Sequence, residues 1–248
     1  MSPSTTAGAR PILLDLTLPA PEENLALDEA ILEDCERSHE DGAPREFLRF
    51  WSSPRHFVVL GVSGKLQEEV RVDACLRDGV PVLRRASGGG TVLQGPGCLN
   101  YALALSLELR PELRDLRRGY AMILGQIARA LEIPGLAPAG ISDLAIGDRK
   151  VSGNAQKRTR HALLHHGSLL LAMEHELMAR WLEEPVKRPE YRGDRSHAHF
   201  LTCIPLDEAD AKSRLRDAWH AAPAGWSPPP LDRLVQEKYG NPAWTERF

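Results

Sequence analysis

Cysteine is scarce in this sequence, and the four that occur are scattered. Cys35, Cys75, Cys98 and Cys203 form no CxxC pair and no Cys/His spacing suited to structural zinc. A chain of 248 residues, 42% hydrophobic, can bury a large core and needs no disulfide staples, so reduced thiols are expected. Long apolar runs are lacking too. There is neither the roughly twenty-residue stretch of a membrane span nor the apolar core of a signal peptide, which points to a soluble, cytoplasmic protein. Excess charge of either sign is also missing: the net charge of -3 gives no footing for a general polyanion binder. The local basic run of Lys157, Arg158 and Arg160 lacks the interleaved aromatics that stack nucleobases, so it reads as a solvated face. Neither GxxxxGK[ST] nor GxGxxG occurs, which excludes the two commonest phosphate loops. No repeat is visible.

What is present is a regular alternation of helical and strand periods. PEENLALDEAILEDCER has Pro21 and two glutamates in a first helical turn, with Leu27, Ile31 and Cys35 on one face. EFLRFW and HFVVLG, separated by SSPR, read as strands, followed by a helix over 67–78 and a strand at PVLRR. Tyr101, Leu103, Leu105 and Leu107 alternate as in a strand with one buried face. Tyr120, Ile123, Leu124, Ile127 and Leu131 follow at helical spacing. DLAIGDRKVSG reads as a hairpin turning at Gly147-Asp148, and HALLHHGSLLLA as another strand. Helices near 174–183 and 207–221 complete an α+β pattern: a single domain with a mixed, largely antiparallel sheet flanked by helices.

Two segments carry the chemistry. In LRRASGGGTVLQGPGCLNY, three glycines follow a strand and two arginines. Such a loop is either a tight structural turn or a cradle of backbone N–H groups for an anion, with Arg84 and Arg85 as planar hydrogen-bonding forks beside it. In DRKVSGNAQ, Lys150 stands just after a hairpin turn and before small residues, either solvated or pointing into a cleft. His165 and His166 are neighbours in a strand, so they face opposite ways. They cannot readily share a metal; one packs and the other faces a pocket.

Together NLALDEAIL, FLRFWSSPRHFVVLG, VLRRASGGGTV, GISDLAIGDRKVSGNAQ and HHGSLLL, in this order, resemble the lipoate–protein ligase family, whose catalytic domain is shared with biotin ligases and octanoyltransferases. The resemblance implies a biotin/lipoate ligase-like catalytic domain over 11–248 after a disordered 1–10. It also implies a loop of Arg84, Arg85, Ser87, Gly88, Gly89, Gly90, Thr91 and Val92 closing over an acyl chain and an adenylate, an arginine and backbone amides facing the phosphate. Lys150 is the implied catalytic residue, meeting both the acyl carbonyl and the α-phosphate, with Ser152 and Gly153 beside it. Asp143 is implied near the adenine or a magnesium ion, and His166, Gly167 and Ser168 along the acyl site. Trp51, Val92 and Leu169 are expected near the acyl tunnel. ATP and Mg2+ are the implied cofactors, lipoate or octanoate the acyl substrate, and a lysine of a lipoyl carrier domain the acceptor. No nucleic acid or membrane partner is implied.

Departures from the family pattern define the alternatives. Cys98 follows GPG, with Asn100 nearby, and Ser142 replaces the usual asparagine before Asp143. Cys203 stands in HFLTCIPL where ligases tend to have TNL. One octanoyltransferase class carries its nucleophilic cysteine late in this domain, paired with the lysine equivalent to Lys150. A thiol beside an ammonium has a lowered pKa and can form an acyl thioester without ATP, so Cys203 is the candidate nucleophile of a transferase. The other class places its cysteine just before the Asp143 position, and GISDLA has none. A non-catalytic acyl-binding partner protein is the third alternative. RRASGGG in place of a GRGRxG-type loop speaks against biotin. Ligases often continue beyond a segment like LVQEKYGNPAW (234–244) into a small accessory domain. None is expected within 248 residues: a separate accessory subunit supplies it, the acyl-adenylate is held without it, or the chain is a defective half-enzyme.

Overall fold

The alternation at Tyr101, Leu103 and Leu105 builds the central strand of the molecule. The computed structural model describes residues 10–185 and 187–248, so all but the last residue of the stretch expected to be disordered (1–10) lies outside the described residues. The elements run β1 (Ile12–Asp15), α1 (Pro21–Glu40), β2 (Phe47–Trp51), β3 (Phe57–Leu60), α2 (Leu66–Glu69), α3 (Val72–Asp78), β4 (Val82–Arg84), β5 (Val92–Gln94) and β6 (Cys98–Ser106). They continue with α4 (Leu116–Leu131), β7 (Leu136–Ala139), β8 (Asp143–Ile146), β9 (Arg149–Arg158), β10 (Ala162–Leu170), α5 (Glu176–Trp181), α6 (His197–Phe200) and α7 (Glu208–Ala218), then short helical turns within 232–245.

Seven strands form one sheet in the order β1-β2-β6-β10-β9-β8-β7. Only β1 and β2 pair in parallel; every other neighbour is antiparallel. A second sheet, β4-β3-β5, stands apart from it. The mixed, largely antiparallel sheet expected from the pattern is thus accompanied by a small second one. The SSPR turn carries β3 away from β2, and the glycine segment returns as the three-residue strand β5 against β3.

The two faces of the large sheet are chemically unlike. Leu99, Tyr101, Leu103, Leu105 and Leu163 meet Ile123, Leu124 and Ile127 of α4 and Leu215 of α7. Each such side chain contributes roughly 1.5–3 kcal/mol by leaving water. The opposite face carries Ala102, Ala104 and Ala162, small enough for Leu27 and Ile31 of α1 to approach closely. The helix expected over 67–78 is broken in two. Val70 between α2 and α3 is extended (φ -130, ψ 134) and forms a bridge to Leu182 instead of a helical turn.

Candidate active site

Lys150 owes its direction to a β-bulge. Gly147, at φ 60, turns the β8–β9 hairpin. Leu144 then pairs with Ser152 and Ala145 with Lys150, which leaves Val151 unpaired. In a regular strand Lys150 and Ser152 would share a face. The extra residue breaks that alternation and turns Lys150 toward the side of Gly153. Its side chain lies so near Gly153 that a Cβ there would come within 2.9 Å of Nζ. Asp143 pairs directly with Gly153, so its carboxylate points the same way. Asp143 Oδ1 accepts from Lys150 Nζ at 2.8 Å, and Oδ2 accepts from the Tyr191 hydroxyl at 2.8 Å. Burial, then the Asp143 charge, pushes the Tyr191 hydroxyl well above its ordinary range, so it remains a donor.

The glycine loop is wrapped around an arginine. Arg85 Nη2 donates to Gly88 O at 2.5 Å and Gly90 O at 2.9 Å, Nη1 to Val59 O at 3.3 Å, and Nε to Ser87 Oγ at 3.0 Å. Burial pushes its pKa down to about 10, which still leaves it charged at neutral pH. Gly89 has φ 91, and a Cβ there would lie 2.9 Å from the guanidinium. A Cβ on Gly61 would overlap the Gly89 carbonyl. Nothing crowds Gly88 or Gly90. The loop thus needs glycine at its centre for its own closure around Arg85.

Arg84 corrects an expectation. Its guanidinium is wholly buried and donates to the carbonyls of Gly61 (2.9 Å), Gly64 (2.6 Å) and Thr245 (2.6 Å), with Trp244 O 3.1 Å from Nε. Its donors tie the base of the loop to the C-terminal segment and do not face a ligand. Arg85, too, spends its side chain on the loop.

A hydrogen-bonded chain links the loop to α1. Ser87 Oγ accepts from Arg85 Nε at 3.0 Å and shares a hydrogen bond with His166 Nε2 at 2.6 Å. Nδ1 faces Asp28 Oδ2 at 3.6 Å, and Asp28 Oδ1 accepts from the buried Arg49 at 2.6 Å. Asn24 completes this cluster, its Oδ1 accepting from Arg49 Nη2. Asp28 escaped the sequence reading, although an Asn24–Asp28 pair at helical spacing amid Leu27 and Ile31 was a usable signal. His165 faces the other way and is fully buried. Burial, then His166 and Arg158, pushes its pKa to about 3.

Gly167 has a structural reason. Tyr101 reaches across it to donate to Asn154 Oδ1, and a Cβ at 167 would overlap that amide. Asn154 Nδ2 in turn holds Ser142 O at 2.9 Å, fixing the loop before Asp143, and meets Ser152 Oγ at 3.2 Å. Thr91 Oγ1 donates to Glu69 Oε2 at 2.6 Å, closing the far side of the glycine loop.

These pieces enclose one cavity of about 680 Å³. Gly89, Gly90, Thr91 and Val92 line it together with Arg85, Asp143, Lys150, Gly153, His166, Gly167 and Ser168. Ser87, Gly88 and Ser152, like Arg84, do not; nor does Leu169, which packs in the α4-side core. Trp51 and Val92 line it as expected. Glu69, Asp28, Asn154 and Asn100 are wall residues that sequence reasoning missed. Among the described residues no cysteine lines the cavity. Cys203 Sγ instead lies 3.5 Å from His175 Nε2 and 3.7 Å from Met173 O, and burial raises its pKa. The lowered thiol pKa expected of a nucleophile beside Lys150 is not found. Cys98 is buried, which pushes its thiol up to about 12.

Among the described residues no three His, Cys, Asp or Glu side chains converge as a metal site, and no helix is long and apolar enough to cross a membrane. Asp143 is the carboxylate nearest Lys150.

Residues 20–205 match the lipoyl protein ligase A/B catalytic domain. A protein of Aeropyrum pernix assigned as lipoate-protein ligase A is 32% identical over 186 residues, covering 74% of this chain and 66% of that protein. Octanoyltransferase LipM of Carboxydothermus hydrogenoformans is 33% identical over 181 residues, covering 65% of each. The chain thus spans about two thirds of the length of these relatives. Among solved structures, a bi-partite lipoate protein ligase of Thermoplasma acidophilum superposes with a TM-score of 0.77 at 22% identity, covering 96% of both chains. A lipoate-protein ligase A bound with ATP gives 0.77 at 22%, covering 96% of this chain and 98% of that one. Domain match and fold agree: the chain belongs to the lipoyl protein ligase A/B catalytic-domain family.

Proposed function

We propose that this protein activates lipoate or octanoate with ATP and passes the acyl group to a lysine of a lipoyl carrier domain. The observation that carries the reading is Lys150, held by Asp143 in a mainly apolar cavity that no cysteine lines among the described residues. In the first half-reaction a carboxylate oxygen attacks the α-phosphorus, the bond to pyrophosphate breaks, and an acyl-adenylate forms. In the second, the acceptor amine adds to the acyl carbonyl, loses its proton, and AMP departs. No enzyme nucleophile is required on this route. Lys150 Nζ serves both steps by offsetting negative charge on the phosphate and on the carbonyl oxygen as the tetrahedral centre forms. Asp143 orients that ammonium before substrate arrives, and Tyr191 orients Asp143. The loop amides around Gly89 and Gly90 supply fixed donors for phosphate oxygens.

Magnesium fits this arrangement, since it commonly binds through one or two carboxylates plus substrate phosphates, and Asp143 presents a carboxylate to the cavity. Its contribution when bound is to neutralise phosphate charge. The T. acidophilum neighbour is a bi-partite ligase described with its E2 lipoyl domain, which supports a lipoyl carrier as acceptor, and the ATP-bound neighbour supports the nucleotide.

Octanoyl transfer is the second reading, favoured by the likeness to octanoyltransferase LipM. It requires a nucleophile at the cavity, and the Cys203 thiol is engaged elsewhere. Intact mass of an apo lipoyl domain after incubation with lipoate, with and without Mg-ATP, separates the two. A lipoyl mass gain only with ATP supports ligation. A gain from an octanoyl-carrier donor without ATP overturns it.

A further inference from the structure

LVQEKYGNPAW, at 234–244, takes no part in the chemistry described so far, yet it leads into residues bonded directly behind the glycine loop. The go-between is the turn at 61–64. Val62 N donates to Ser87 O of the loop at 2.8 Å, and a Cβ on Gly61 would sit 2.0 Å from the Gly89 carbonyl. The same turn is bonded to residues 244–248. Val62 O accepts from Arg247 Nη2 at 2.6 Å, and Leu66 N, just beyond the turn, donates to Phe248 O at 3.2 Å. Arg84 joins the two, its donors reaching Gly61 O and Gly64 O as well as Trp244 O and Thr245 O. Trp244 Nε1 answers by donating to Arg84 O at 2.8 Å. The Trp244 ring is itself held, with the Arg247 guanidinium 3.5 Å and the Lys238 ammonium 4.6 Å from its centre.

A second arm of the same segment grips α1. The buried Tyr239 hydroxyl donates to Glu29 Oε2 at 2.7 Å, and Lys238 Nζ donates to both oxygens of that carboxylate. Glu29 follows Asp28, which faces His166, and His166 in turn meets Ser87 of the loop. The segment therefore reaches the loop by two routes, through Arg84 with the 61–64 turn and through α1. The partners of the fully buried Arg84 guanidinium, among the described residues, are all main-chain carbonyls. Each of its N–H groups left unpaired would carry its full desolvation penalty, so turn, loop base and segment hold together.

We propose that Trp244, and Arg84 behind it, are positioning residues: docking of 238–248 holds the glycine loop in the form that receives the nucleotide phosphates. This rests on the acyl-activating reading above and adds a requirement for its nucleotide step. Neither residue lines the cavity. Their effect is on the fraction of molecules whose loop is competent, and the apparent affinity for a ligand falls with that fraction.

The test compares Trp244→Ala, Trp244→Phe and Tyr239→Phe with wild type in the full chain. Pyrophosphate release is followed with lipoate and varied ATP, and hydrogen exchange is followed on the protein alone. If undocking leaves about one loop in ten competent, Trp244→Ala raises KM for ATP about tenfold and changes kcat less than about threefold. Trp244→Phe keeps a ring against Arg247 and loses only the N–H, so its rise should be smaller. Amides at 87–91 should exchange faster in the same rank order, while those of β6 and β10 keep their wild-type protection. Arg233→Ala removes only ion pairs with Glu33 and Glu237 and should change neither readout. Tyr239→Phe enters by the α1 route and keeps the test open should the tryptophan variants not fold. A fall in kcat with KM unchanged would mean that the segment only supports the fold, and overturns the proposal. Exchange at 87–91 unchanged in every variant that folds overturns it as well. Wild-type protein that releases no pyrophosphate would instead bring down the acyl-activating reading, and the exchange pattern would still decide whether the segment holds the loop.

Discussion

Lys150 Nζ and Asp143 Oδ1 lie 2.8 Å apart, on adjacent strands whose register is offset by one unpaired residue, Val151. The ammonium is thereby oriented before any substrate is bound. Replacing Lys150 by methionine should lower acyl-adenylate formation by about 100- to 1,000-fold, the range seen when a charge-stabilising group is removed. The melting temperature should barely move, because the lysine side chain is about a quarter exposed. Pyrophosphate release at the wild-type rate would refute the role assigned to Lys150.

Cys203→Ser should leave carrier acylation within about twofold of wild type, since the half-buried thiol lines no part of the cavity and serine is nearly its size. Acylation of an apo lipoyl domain, followed by mass, gives the answer. Complete loss of transfer would restore the thioester route.

Gly61, Gly88 and Gly89 should respond differently to alanine. At Gly89 a Cβ would press on the Arg85 guanidinium with φ at 91, and at Gly61 it would overlap the Gly89 carbonyl. Either change is expected to cost about 1–3 kcal/mol and to shift the loop. Gly88→Ala meets open space with no positive φ and should be nearly neutral. Urea unfolding of the three variants gives the ranking. A Gly88 change as damaging as Gly89 would contradict the structure.

Acid should weaken the fold through His165. Its pKa is about 3 in the folded chain against 6.5 unfolded, because burial disfavours the charged ring. The unfolded chain therefore binds more protons between these values. The contribution is intact above about pH 6.5 and is lost progressively as pH falls toward 3. Substituting His165 by glutamine, which retains an amide for Gln156, should flatten the stability-against-pH curve over that interval while lowering stability at neutral pH. Equilibrium denaturation at several pH values measures both effects. An unchanged acid limb would rule out His165 as its source.

Much of this was legible in the sequence because it depends on local order. The periods at Tyr101–Leu107 and Tyr120–Leu131, and the turn at Gly147-Asp148, specify elements from their own residues, and the structure keeps them. His165 and His166 fall on opposite faces because strand alternation leaves no other choice. Lys150 stood out through the family resemblance of RKVSGNA, since its own surroundings left it either solvated or pointing into a cleft. Arg84 was misread for a related reason. An arginine beside glycines signals an anion by residue type alone, whereas its actual partners are carbonyls up to 161 residues away. The split of the 67–78 helix had the same origin, since Val70 bonds across 112 positions to Leu182.

Pattern and contiguous motifs by themselves determined the fold class and the family resemblance, and the resemblance in turn implied that Lys150 stands beside a glycine loop. Only the tertiary structure decided the rest: that Arg85 closes the loop on itself, that Asp28 and Arg49 stand behind His166, that Cys203 turns away from the cavity, and that Trp51 and Asn100 stand side by side across β2 and β6. The physical reason is common to all four. Hydrogen-bond partners and burial are properties of which strands lie side by side, and strand order is set by packing between segments far apart in the chain.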